Sequence, residues 1–115
     1  MYNRIILIGC LVSDPEMRYT NSGVPVTSFT LAIDRPFKKQ NGEKETDFLD
    51  CVAWNKLAEL VANYLTKGKL AAVEGRLQID TYEKDGQKRK TTKIIINDVR
   101  FLSPKNYQNT DELPY

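Results

Sequence analysis

Two stretches of the chain alternate apolar and polar side chains with the two-residue period of a β-strand. From Asp47 to Trp54, Leu49, Cys51 and Ala53 share one face, and Phe48, Asp50, Val52 and Trp54 share the other. From Leu70 to Tyr82 the apolar set is Ala71, Val73, Gly75, Leu77 and Ile79, while Glu74, Arg76, Gln78, Asp80 and Tyr82 point the opposite way. The run Asn3 to Val12 is apolar at both parities (Ile5, Ile6, Leu7, Ile8), as in a strand covered on both faces. A further strand is predicted from Val24 or Val26 to Asp34, with Phe29, Leu31 and Ile33 on its core side and Pro36 interrupting it, and a last one from Thr91 to Leu102. Asn41-Gly42 and Asp85-Gly86 carry the residues that tight hairpin turns require. Between the third and fourth strands, Leu57, Leu60, Val61, Tyr64 and Leu65 recur at intervals of three and four. That spacing predicts a helix of about three turns, stopped by Gly68, with Tyr64 on its core side.

The order is mainly β, with five strands and one helix between the third and fourth. This is the element order of the OB-fold, a small Greek-key barrel. A chain of 115 residues makes one domain. Its folded part is expected over residues 1–103, with Pro104 opening a short flexible tail over 104–115.

Phe48, Trp54 and Tyr82 stand out because alternation puts these large rings beside charged residues rather than with the core. Rings held open on a polar sheet face suit flat ligands, and nucleic-acid bases are the commonest of these. The plainer reading is that they cover a subunit interface or a small second core. Composition narrows the choice. There is no histidine, which removes Ser-His and Cys-His nucleophiles and His-based metal sites. Cys10 and Cys51 lack metal or redox spacing and read as buried free thiols in a reducing compartment. The carboxylates form no recognisable catalytic pair, so neither an enzyme nor a cofactor is expected. The net charge of +2 announces no polyanion partner, but all the basic residues except Lys105 precede Ser103, while Asp111 and Glu112 make the end acidic. No stretch has the layout of a signal peptide or the length of a membrane span, so a cytoplasmic location without membrane contact is expected.

Several ordered segments resemble the bacterial single-stranded DNA-binding protein family over about residues 2 to 103. They are Asn3-Arg4-Ile5-Ile6-Leu7-Ile8-Gly9, Asp14-Pro15-Glu16 with Arg18-Tyr19, Thr30-Leu31-Ala32 and Lys56-Leu57-Ala58-Glu59. Tyr64-Leu65, Lys67-Gly68, Val73-Glu74-Gly75-Arg76-Leu77 and Thr91-Thr92 complete the set. The resemblance implies sequence-independent binding and protection of single-stranded DNA in replication, recombination or repair. It carries base-stacking roles over to Phe37, Phe48, Trp54 and Tyr82; periodicity marks the last three independently, and Phe37 comes from the resemblance alone. The phosphate side of such a site is expected at Lys38 and Lys39 on one hairpin and at Lys84, Lys88, Arg89, Lys90 and Lys93 on the other.

Some positions depart from the family. Gln78 and Asp80 stand where arginine is frequent, and Asp50 puts an acid on the third-strand binding face, so the groove is expected to be less positive. The long linker that usually precedes the family's acidic tip is nearly absent. The end itself, Asp111, Glu112, Leu113, Pro114 and Tyr115, resembles that tip, with Tyr in place of the usual Phe, and implies recruitment of replication or repair enzymes. The resemblance also implies a homotetramer. Independently, the two-sided apolar first strand points to a contact between copies at Arg4, Ile6 and Ile8. Two alternatives stay open: a primosomal or phage-type OB assembly protein that binds single strands weakly, and an interaction module that binds no nucleic acid.

Overall fold

The computed structural model describes residues 1–102. Its elements are β1 (Ile5–Leu11), β2 (Glu16–Tyr19), β3 (Pro25–Lys38), β4 (Lys44–Trp54), α1 (Lys56–Tyr64), β5 (Leu70–Lys84) and β6 (Gln87–Phe101). Strand order is β1-β5-β6-β4-β3-β2, and a β1–β3 pairing at Cys10↔Ala32 and Leu11↔Leu31 closes five of the strands into a barrel. All neighbours are antiparallel except β4 and β6, which run parallel at Cys51↔Ile94 and Val52↔Ile95. This is the expected OB-fold barrel. The difference is β2, a four-residue edge strand paired with β3, where the sequence showed only the break at Asp14-Pro15. Four residues are too few for alternation to declare itself. The helix thus follows the fourth strand in chain order rather than the third.

The barrel interior is filled by Leu11, Phe29, Leu31, Cys51, Ala53, Ala71, Val73, Ile94 and Ile96, each nearly inaccessible, with Val61 and Leu65 of the helix segment closing one end. Thr27 is fully buried, yet its hydroxyl donates to the Ala58 carbonyl at 2.7 Å, so the helix is tied to β3 without an orphaned polar atom. Tyr64 departs from the expectation. It is 63% exposed and packs against Phe101, ring centroids 5.7 Å apart, because Ala58, Val61 and Leu65 already occupy the barrel end.

Two hairpins project beyond the barrel, and both exceed their predicted lengths. β5 and β6 pair continuously from Gly75↔Ile96 to Lys84↔Gln87. They are closed by Asp85 (φ 54°) and Gly86 (φ 76°), the two left-handed residues of a type I′ turn. Leu77 and Ile79, expected on the core face, are 37% and 54% exposed, since the strand has left the barrel by that point. Gly75 marks the departure. The register shifts between Glu74 and Gly75, and a Cβ at Gly75 would lie 2.0 Å from the Ile95 carbonyl oxygen, so only glycine permits this approach. The other hairpin carries β3 through Pro36 to Lys38 instead of ending it; the proline sits in a register break between Asp34 and Lys38, where no ladder hydrogen bond is demanded of it.

Candidate nucleic-acid interface

The outer face of the β3-β4-β6 side is where the candidate residues gather. β3–β4 register places Val26 opposite Trp54, Ser28 opposite Val52, Thr30 opposite Asp50 and Ala32 opposite Phe48. Paired residues share a sheet face, so Phe48, Asp50, Val52 and Trp54 look outward while Cys51 and Ala53 are buried. Phe48 is 65% and Trp54 40% exposed. Between them lies a groove of about 420 Å³ lined by Ser28, Thr30, Asp50, Val52, Thr91 and Lys93, with Ser13, Asp14 and Glu16 on the β2 side. The parallel β4–β6 pairing brings Lys93 and Thr91 to its far wall.

Tyr82 joins the same surface through β5. Gln78, Asp80 and Tyr82 pair with Lys93, Thr91 and Arg89 and share their side of the hairpin, so one continuous face runs from the β4 rings to the 45% exposed Tyr82 ring. Lys84, Lys88, Arg89 and Lys90 are exposed near the hairpin tip, and among the described residues none of them is in an ion pair. Phe37 is exposed at the end of the other hairpin, away from the groove floor. Lys38 faces Lys44 in the ladder, and Lys39 lies beside the turn. Arg4 pairs with Glu74 at 2.8 Å, and Ile6 and Ile8 lie open on β1. The tip residues Asp111, Glu112, Leu113, Pro114 and Tyr115 lie outside the described residues.

Lys93, the cation that lines the groove, is paired from β5. Lys93 Nζ is 2.9 Å from Asp80 Oδ2; Gln78 Nε2 donates to Asp80 Oδ1 at 3.0 Å, and Arg76 Nη1 donates to Gln78 Oε1 at 2.8 Å. The Lys93 and Gln78 donors hold the Asp80 carboxyl below the usual carboxylate range. Thr30 donates to Asp50 at 2.9 Å. Lys93 is thus held by Asp80, and Asp50 adds an acid to the groove wall. Beneath the floor, burial and the neighbouring Asp50 charge push the Cys51 thiol up to about 12, so it stays neutral and inert.

Sequence reasoning missed the polar lining from β3. Ser28 and Thr30 alternate with the buried Phe29 and Leu31, so the signal was present in the same two-residue period that found the rings. It also missed Ser13, in the bend before the edge strand, and Glu16, at that strand's start.

The chain matches the model of the single-strand binding protein family over residues 2–102. It belongs to that family. It is 53% identical over 107 residues to the single-stranded DNA-binding protein of Bacillus cereus, covering 92% of this chain and 63% of that protein. With single-stranded DNA-binding protein A of Bacillus subtilis the identity is 51% over 107 residues, covering 92% of this chain and 62% of the relative. The chain therefore spans less than two thirds of the length of these curated relatives. Among solved structures, a Plasmodium falciparum SSB in complex with single-stranded DNA superposes with a TM-score of 0.81 at 28% identity, over 89% of this chain and 96% of that one. Family membership and barrel thus agree, each on nearly the whole described domain.

Proposed function

We propose that this chain is a nonenzymatic, sequence-independent binder of single-stranded DNA that keeps exposed strands unpaired and protected. The observation that carries the reading is the single outer face on which Phe48, Trp54 and Tyr82 stay exposed around a polar groove, in a family whose relatives bear the name of that activity. Stacking on π-faces tolerates any base, and Lys84 and Arg89 share the Tyr82 side of the hairpin for phosphates, with Lys88 and Lys90 exposed on its reverse side near the tip. Phe37 adds a fourth ring from the second hairpin. Anisotropy of labelled oligo-dT, oligo-dC and duplex tests this: both single strands should bind and the duplex should not. Equal duplex binding, or none by either single strand, would refute it.

The same reading places the protein in the cytosol or on the nucleoid and gives it two protein contacts. Among the described residues β1 pairs with β3 only at its C-terminal end, so its outer edge over residues 5–8 is open, with Ile6 62% and Ile8 55% exposed. That edge supports self-association through Arg4, Ile6 and Ile8, up to a homotetramer. Ile6→Lys should lower the sedimenting mass; a parent chain that stays monomeric at all concentrations would exclude the contact. The acidic-apolar end Asp111–Tyr115 is assigned to recruitment of replication or repair enzymes. Deleting residues 111–115 should leave oligo-dT affinity intact and abolish partner binding, and loss of DNA binding instead would overturn the assignment.

A further inference from the structure

The β3–β4 hairpin has to present Phe37 from a place where backbone pairing is broken. Between Asp34↔Thr46 and Lys38↔Lys44, three residues of β3 (Arg35, Pro36 and Phe37) stand against Glu45 alone on β4. A bulge of this size removes ladder hydrogen bonds, and Pro36 has no N–H to offer. The ladder by itself leaves Phe37, 82% exposed, without a fixed direction.

Side-chain charge spans the gap. The Arg35 guanidinium donates to Glu45 through Nη1, and to Asp47 through Nη2 at 3.0 Å and Nε at 3.1 Å. Lys39 Nζ approaches the other oxygen of Glu45 at 3.2 Å. The one residue opposing the bulge is therefore gripped from both of its ends. By strand alternation Glu45 and Asp47 lie on the side of β4 opposite Phe48, so the clamp stands behind the groove rather than in it. A planar guanidinium held by two carboxylates fixes angle as well as distance, which a lysine cannot do. The mutual stabilisation is visible in both partners: Asp47 titrates lower and Arg35 higher than usual, each chiefly through their hydrogen bond.

We propose that Arg35 and Glu45 are positioning residues for Phe37: their clamp across the bulge holds the backbone that presents this ring to single-stranded DNA, without touching the DNA themselves. This rests on the stacking function proposed above. It differs from a phosphate-binding role for Arg35 in its consequences, because a positioning residue acts only through the ring it positions.

The test is a double-mutant cycle read by oligo-dT affinity, with parent, Phe37→Ala, Arg35→Lys and the double variant, and Trp54→Ala in both backgrounds as a reference. Arg35→Lys keeps the charge and loses the fork. Phe37→Ala should weaken binding roughly ten-fold in the parent, within the range for a stacked base, and no more than about three-fold in the Arg35→Lys background, since exposed clamps of this kind are worth only a few-fold. The Trp54→Ala penalty should be the same in both backgrounds. Hydrogen exchange of the free protein gives a readout independent of DNA: amides of residues 34–46 should exchange several-fold faster in Arg35→Lys, with β5–β6 unchanged and the melting temperature nearly constant. An equal Phe37 penalty in both backgrounds overturns the proposal, as does unaltered exchange of the hairpin. A silent Phe37→Ala in a parent that binds oligo-dT overturns it while leaving the DNA-binding function standing. A parent that does not bind removes both.

Discussion

The two hairpins solve the same problem by opposite means. β5–β6 leaves the barrel at a glycine, keeps an unbroken ladder and ends in a regular turn, so its backbone is held by the ladder itself and, among the described residues, Lys84, Lys88, Arg89 and Lys90 near its tip stay outside any ion pair. β3–β4 breaks its ladder around Pro36, recovers order through Arg35, Glu45 and Asp47, and so commits Arg35 and Lys39 internally. Order taken from the backbone leaves side chains available for a polyanion; order taken from ion pairs does not. The first hairpin is therefore suited to phosphates and the second to carrying a ring.

The largest expected break of this contrast is at the pivot. Gly75→Ala would drive a methyl into the Ile95 carbonyl, and relieving it means bending the strand. We expect a loss of about 2–3 kcal/mol, or about 10 °C or more in Tm for a domain of this size, visible by calorimetry. An unchanged Tm would mean that the close approach is not what bends β5 away from the barrel.

Next come the rings. Trp54→Ala or Tyr82→Ala should each cost about 1–3 kcal/mol of single-strand affinity while the melting temperature barely moves, because neither ring belongs to the core. Affinity lost only together with folding would assign the rings to structure instead.

The charges then sharpen the division between hairpins. Each phosphate neutralised adds about 0.7 to the log-log salt slope for single strands. Replacing Lys84, Lys88, Arg89 and Lys90 by Gln should flatten the slope of oligo-dT binding, whereas Lys39→Gln should leave it nearly unaltered, since Glu45 already holds that ammonium. Equal flattening by both changes would erase the distinction.

The smallest effect concerns the cation shared inside the groove. Asp80→Asn frees Lys93, so binding should tighten modestly and the slope rise by up to about 0.7. The sign of the pH effect follows. A carboxyl whose pKa is depressed by Lys93 and Gln78 keeps its charge, and its hold on Lys93, until the pH falls through that lowered value. Affinity should therefore not change between pH 7 and about 5.5 on account of this pair, and should rise only in stronger acid. Isothermal titration of parent and Asp80→Asn across that range would show a parent trend absent from the variant if Asp80 titrated earlier.

Much of this arrangement was legible in the residues. The two-residue period found the exposed Phe48, Trp54 and Tyr82 because one face of each strand is packed and the other is not, and Asp85-Gly86 fixed its hairpin because few pairs tolerate two left-handed residues. Pro36 misled because a proline limits a strand only where its N–H is needed, and the bulge removes that need. Leu77 and Ile79 misled because alternation reports which face a side chain is on, not whether the barrel still lies beneath it. Tyr64 followed the helical period faithfully and still came out exposed, since the room at the barrel end was filled by smaller neighbours. The Arg35 clamp left no local signal: its partners are ten and twelve residues away and meet it only through the register break.

Trp54 is the chain's single tryptophan and lies on the proposed stacking face, so its fluorescence tests the central claim most directly. Titration with oligo-dT should quench its emission saturably, at several salt concentrations, in step with binding measured by anisotropy of the labelled strand. Binding that proceeds with unchanged Trp54 emission, or no binding at all, would contradict the account.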